Sequence, residues 1–100
     1  MIRGTTPTHY FTAPCDPSTI DKINVLYGQD DELLFKKVTA DCKIDGTTIS
    51  TKLTREESLL FNHKKAAQVQ AVILTTGGDV LESLVKNIGV SKLLDDGVIE

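Results

Sequence analysis

A chain of 100 residues with 14 acidic and 11 basic side chains carries a net charge of −3, and its length suits one domain with one modest core. Its basic residues are scattered, which argues against sequence-independent binding of nucleic acid, because that affinity comes from concentrated Lys and Arg set against phosphates. No apolar run approaches the roughly 18 residues of a membrane helix, and 40% hydrophobic with 25% charged residues is the composition of a folded protein rather than a disordered one.

Twelve threonines tilt the expectation toward strands, since β-branched side chains fit a pleated, half-buried surface. Thr5 to Thr12 is the first candidate, with Pro7 placing its start at an edge or a bulge. Pro14 and Pro17 flank Cys15 and Asp16 and stop it; Asp16-Pro17-Ser18-Thr19 reads as a turn. In Ile20 to Tyr27 the residues Ile23, Val25 and Tyr27 share one face and Lys22 and Asn24 the other, the period of a half-buried strand. Gly28-Gln29-Asp30-Asp31 closes it, and Leu33 to Thr39 returns as the second arm of a hairpin. There Leu33 and Phe35 compete with Leu34 and Val38 for the inner face.

Asp45-Gly46 between Cys42-Lys43-Ile44 and Thr47 to Leu53 marks a tight hairpin with positive φ at its turn. Ile49, Thr51 and Leu53 then face the core, and Ser50 and Lys52 face water. Thr54 followed by Glu57 has the form of a capping box, predicting a short helix near residues 54–61 packed through Leu59, Leu60 and Phe61. Beyond it, Val69, Ala71 and Ile73 alternate with Gln70, Val72 and Leu74, whose partly apolar outer face predicts a central or covered strand. Thr75-Thr76-Gly77-Gly78-Asp79 turns the chain, the two glycines supplying positive φ, into a last strand over Val80 to Val90. Val80, Leu84, Ile88 and Val90 share parity there with Lys86, so a bulge near Gly89 or a break near Lys86-Asn87 would reset the face.

Six or seven antiparallel strands with one small helix predict an all-β, two-sheet β-sandwich of immunoglobulin-like general form over residues 1–100, with a small closed barrel as the competing arrangement. The apolar residues of the closing segment, Leu93, Leu94, Val98 and Ile99, form a tail that packs back or docks on a neighbour.

The residues carry no assembled catalytic set. His9 and His63 are the only imidazoles and neither adjoins a cysteine; no serine sits in a Gly-x-Ser-x-Gly elbow. A Cys-His dyad would have to form across the fold. Cys15 and Cys42 lack the paired spacing of a zinc site, and with no secretory n-region and h-region at the start they are expected as free thiols of an intracellular product, with a disulfide between them as the alternative if the fold brings them together. Asp30-Asp31-Glu32 lacks the spaced oxygen ligands of a calcium loop. Glu56 and Glu57 diverge too far for the paired carboxylates of a glycosidase, and Gly77-Gly78 is followed by no Lys-Ser/Thr that would make it a phosphate loop. His63-Lys64-Lys65 and Lys36-Lys37 read as solvated faces. The reading is therefore of no catalytic residue, no cofactor and no metal. What remains is surface: Val72 and Leu74 on the outer side of a strand, and Leu93, Leu94, Val98 and Ile99 in the tail.

Several stretches resemble small, mostly uncharacterised proteins encoded among the structural genes of tailed bacteriophages and prophages of Gram-positive bacteria. They are the opening Met1-Ile2-Arg3-Gly4-Thr5-Thr6-Pro7-Thr8-His9-Tyr10-Phe11, the segment Asp45-Gly46-Thr47-Thr48-Ile49-Ser50-Thr51-Lys52-Leu53-Thr54-Arg55-Glu56-Glu57, Gln68-Val69-Gln70-Ala71-Val72, and the closing Leu94-Asp95-Asp96-Gly97-Val98-Ile99. The likeness spans nearly the whole chain through threonine-rich strand patterns of low specificity, and it transfers no catalytic residue. It implies a non-enzymatic virion or assembly component, located in the bacterial cytoplasm during assembly and then in the virion. Its implied partners are other phage structural proteins and further copies of itself, not nucleic acid or membrane. It also makes Cys15, where such proteins tend to carry an apolar residue, a small hydrophobe. The alternative reading is a carbohydrate- or ligand-binding sandwich, weakened by the absence of tryptophan and requiring Tyr10, Tyr27 and His9 on one surface; an enzyme stands third.

Overall fold

A computed structural model describes residues 1–82 and 85–91. Among the described residues eight strands run in chain order as β1 (Thr8–Thr12), β2 (Ile20–Gln29), β3 (Glu32–Lys37), β4 (Cys42–Asp45), β5 (Thr48–Lys52), β6 (Ala67–Thr75), β7 (Val80–Glu82) and β8 (Lys86–Ile88), with one α-helix, α1 (Arg55–Ser58), between β5 and β6. They form two antiparallel sheets. One has the order β1-β5-β4; the other has the order β3-β2-β6-β7, with β8 also on β6. The arrangement is all-β and two-sheeted, as the turn-punctuated sequence predicts, and the strands do not close into one barrel.

The period-two segments sit as their patterns require. Ile23, Val25 and Tyr27 of β2, Val69, Ala71 and Ile73 of β6, and Ile49 of β5, with Leu53 just beyond it, are all buried, and Phe11 and Phe61 join them in one cluster between the sheets. The β2–β6 ladder runs from Ile20↔Thr75 to Gln29↔Ala67 and makes β6 a central strand, flanked on its other side by β7 and β8.

The β2–β3 hairpin turns on Asp30 and Asp31, both left-handed at φ 55° and 61°. This is the geometry in which a two-residue turn matches strand twist, and short polar Asx side chains tolerate it. Next to the turn, the pairing shifts register between Tyr27 and Gly28, with Tyr27 opposite Phe35 and Gly28 opposite Leu33. A Cβ on Gly28 would lie 2.5 Å from the Glu32 carbonyl oxygen, so the shift needs a glycine there. It also settles the competition on β3: Phe35 and Lys37 face inward while Leu33, Leu34 and the following Val38 are all exposed.

Some boundaries differ from the sequence reading. The first strand starts at Thr8 rather than Thr5, because residues 3–5 are held elsewhere. The Arg3 guanidinium donates to the Leu59 and Phe61 carbonyls, both at 2.9 Å. The Gly4 N–H donates to Ser58 Oγ, and the single proton of that hydroxyl is shared between the Thr5 carbonyl at 2.7 Å and the Arg55 carbonyl at 3.0 Å. This bonding ties the start of the chain to the short helix and to the turn that follows it at Leu59 and Phe61. The capping box forms as predicted, with Thr54 Oγ1 accepting from the Glu57 N–H and Glu57 accepting from the Thr54 N–H. The helix itself ends at Ser58, and Leu60 is exposed instead of packing; Phe61 alone reaches the core.

Val80 to Val90 is two short strands, not one. β7 pairs Ile73 with Leu81 and β8 pairs Val69 with Lys86, so the ladder on β6 gains one residue between them. Leu81 therefore takes the inner side and Val80 is exposed, the reverse of the parity read from sequence. Of the two glycines in the preceding turn only Gly78 has positive φ, at 88°. The turn is held by mutual bonding of Thr75 and Asp79: the Thr75 N–H donates to the Asp79 carbonyl, and the Asp79 N–H donates to Thr75 Oγ1.

Lys37 is another correction. One of a pair of lysines read as a solvated face, it is 8% exposed, and its ammonium meets Glu57 at 2.5 Å, tying β3 to the start of α1.

Candidate functional site

Two of the titratable residues that sequence singles out, His9 and Cys42, lie half-buried on the inner face of the three-stranded sheet. His9 of β1 and Cys42 of β4 both lie opposite Thr51 of β5, so the three form a row across the sheet. His9 and Cys42 are thus two strand spacings apart, about 9.5 Å, with Thr51 between them, and do not form a dyad. His9 reaches across to the other sheet, where its Nδ1 lies 2.7 Å from the Tyr27 hydroxyl. Tyr27 is fully buried, stacked on Phe35 at 4.9 Å between centroids and edge-on to Phe61.

The protonation of this row follows from its burial. Burial and then the neighbouring positive charges of the chain's first amino group and Lys86 push the His9 pKa below its ordinary 6.5. Burial, reinforced by the nearby Cys42 and Glu57, pushes the Tyr27 phenol upward. At neutral pH the phenol therefore keeps its proton, and we assign it as donor to a neutral imidazole at Nδ1. Burial likewise raises the Cys42 thiol, which makes it a poor nucleophile at neutral pH, and its Sγ sits 3.4 Å from the Val38 carbonyl. Cys15 is half-buried against the core, and both cysteines are free thiols. His63 is exposed on the 62–65 loop. Among the described residues no group of three or more His, Cys, Asp or Glu side chains is gathered as a metal site, and no helix is long and apolar enough to cross a membrane.

Tyr10, one residue from His9, points the opposite way and is 60% exposed. It lines a hollow of about 390 Å³ on the outside of the three-stranded sheet with Thr8, Asp41, Lys43, Ser50 and Lys52. The surface that would gather Tyr10, Tyr27 and His9 around a sugar does not form, because adjacent strand residues face opposite sides.

The outer side of the five-stranded sheet is different in character. Val72 and Leu74 lie on it, half-buried, in ladder with Asn24 and Lys22 of β2 and with Glu82 and Val80 of β7. Beside them a hollow of about 320 Å³ is lined by Leu26, Gly28, Leu33, Gln68, Gln70 and Val85, with Asp31 and Glu32 at its rim. Leu33 is 61% exposed and Val80 68%. Of the sequence-predicted contact residues, Val72 and Leu74 are thus brought to one face, whereas Leu93, Leu94, Val98 and Ile99 lie outside the described residues. Sequence reasoning missed Leu26, Leu33 and Val85 as members of this face. Leu26 had a usable signal, since it shares the parity of Lys22 and Asn24; Leu33 is placed by the register shift at Gly28 and Val85 by the break after β7, neither of which strand parity reveals.

Missed too was Gln29, a buried amide that clamps the 62–65 loop. Its Nε2 donates to the Asn62 and Lys65 carbonyls and its Oε1 accepts from the Asn62 N–H.

Comparison of the chain with protein-family models, curated proteins and solved structures gives no match.

Proposed function

We propose that the protein works by contact, as a non-enzymatic structural or assembly component of a tailed phage or prophage, and that its binding face is the outer side of the five-stranded sheet. The β-sandwich of immunoglobulin-like general form then serves as a rigid frame for that face. The observation that carries the reading is the mixture on one sheet surface of exposed Leu33, Val80 and Val85 with half-buried Leu26, Val72 and Leu74, interspersed with the amides Asn24, Gln68 and Gln70. Exposed apolar side chains set among polar ones around a shallow hollow are the kind of surface that a protein partner covers. The phage setting comes from the resemblance in sequence, and the partners it implies are other virion structural proteins.

The reading is tested by binding to purified head and tail components. Leu33→Lys with Val72→Lys puts two charges into the face without touching the core, and binding to the cognate component should fall by at least about tenfold. A doubly substituted protein that binds as tightly as the parent, or a parent that binds none of the components, would sink it.

A further inference from the structure

The two sheets present four edges, and three of them are blunted in ways that natural proteins use to prevent strand addition. β3 carries the register shift at Gly28. The β7–β8 edge is broken by its own shift in register. On β1 the Tyr10 carbonyl accepts from Lys86 Nζ. β4 is short and carries Lys43 and Asp45, but its pairing with β5 has no register shift, its Ile44 is 44% exposed, and its two charges are of opposite sign, so a second copy of the same strand meets no like-charge barrier.

The direction of the β4 backbone groups follows from the hairpin. Asp45 and Thr48 close a two-residue turn on Gly46 and Thr47, so they exchange ladder bonds, and by the alternation of an antiparallel pair the Ile44 amide and carbonyl point away from β5. An independent contact fixes the same parity: the Cys42 N–H, two residues earlier, donates to the Thr39 carbonyl and not to β5. The sequence around Ile44 is complementary to itself. Lys43 and Asp45 lie one residue to either side, both exposed, and both on the outer side of the sheet, opposite Ser50 and Thr48.

We propose that β4 is a homodimer edge, pairing antiparallel with β4 of a second copy about a twofold axis through Ile44. Each Ile44 exchanges two backbone hydrogen bonds with its counterpart. Each Lys43 then lies directly opposite Asp45 of the other copy, in the closely spaced position of the ladder where opposite charges attract. The result is a continuous six-stranded sheet of order β1-β5-β4-β4-β5-β1. An isologous contact of this kind is closed and stops at two copies, and its short strand makes the dimer weak and concentration-dependent. The inference deepens the contact-driven reading above by naming a second copy as one partner, and it uses a different surface.

Sedimentation equilibrium from about 10 μM to about 1 mM, a range that brackets weak self-association, tests it. The parent should shift from monomer to dimer across the range. Lys43→Asp alone and Asp45→Lys alone each set like charges opposite one another twice per dimer and should weaken association roughly tenfold. The double swap should return it to near the parent value, whereas Lys52→Asp, on the same sheet face but at the end of β5 away from the Asp45–Thr48 pair, should leave it unchanged. Circular dichroism of each variant separates loss of association from loss of fold. A parent that stays monomeric throughout, or a double swap no tighter than folded single variants, overturns the dimer. A monomer that still binds virion components overturns this inference alone; a dimer that binds none of them overturns only the proposal for the other face.

Discussion

Tyr27 shows how a residue can be legible in one respect and opaque in another. Its place on the inner face follows from the alternation Ile23, Val25, Tyr27, and it is buried as that alternation requires. The partner for its hydroxyl does not follow, because His9 arrives from the other sheet through a contact across 18 residues of sequence. A buried phenol must find an acceptor, and losing it strands a polar group on the other side. Tyr27→Phe keeps the ring stack on Phe35 but leaves His9 Nδ1 without its donor. We expect a loss of about 1 kcal/mol, read as a lower urea midpoint at unchanged slope. A midpoint equal to the parent's would mean that the contact contributes nothing net. Lys37 is the opposite case: a lysine in a strand is assigned to solvent unless its partner is known, and Glu57 is 20 residues away.

At the scale of elements, the turns were the most readable feature and the strand faces after them the least. Asp45-Gly46, Asp30-Asp31 and the Thr75 to Asp79 segment each announce a reversal through residues that tolerate left-handed φ or bond their own backbone, and each is a hairpin. Register shifts are marked less plainly: Gly28 permits the one between β2 and β3, but that the extra residue falls in β3, and that another falls between β7 and β8, depends on packing against a neighbouring strand, which periodicity cannot see. The Gly77-Gly78 turn separates the two kinds of information. The dipeptide signals a turn, yet only Gly78 occupies the left-handed region, and neither glycine has atoms crowding its would-be Cβ. Gly78→Val should therefore destabilise by about 1–3 kcal/mol through backbone strain, while Gly77→Val should stay within about 0.5 kcal/mol of the parent. Thermal melts of the two variants side by side would decide it; equal losses would show that the turn depends on something other than φ.

For the whole molecule, the contacts between sheets and helix set how it meets acid. The candidate surface was only half legible in sequence, since Val72 and Leu74 follow from strand parity while Leu33 and Val85 are positioned by irregularities. The polar ties behind that surface were not legible at all, because each joins elements distant along the chain. Two of these ties titrate. The His9 pKa is depressed in the folded protein, so its contribution is fully present above the ordinary value of 6.5 and is lost as pH falls through the lower folded value. Protonating Nδ1 turns the acceptor for Tyr27 into a second donor. Glu57 follows at lower pH. Burial opposes its charge, but the Lys37 ammonium and the Thr54 backbone N–H outweigh that and hold the carboxyl below its ordinary 4.5. Its contribution is thus present above 4.5 and disappears as pH drops through the depressed value, when the bond to Lys37 and the charged arm of the capping box are lost together. Stability measured against pH should fall in two steps, one below 6.5 and one below 4.5. His9→Gln, which keeps an acceptor for Tyr27 but cannot titrate, should remove the first step and leave the second. Glu57→Gln, which keeps a cap acceptor without the charge, should do the reverse. A profile in which both steps survive both substitutions would place the acid sensitivity elsewhere and uncouple it from the ties between the sheets and the helix.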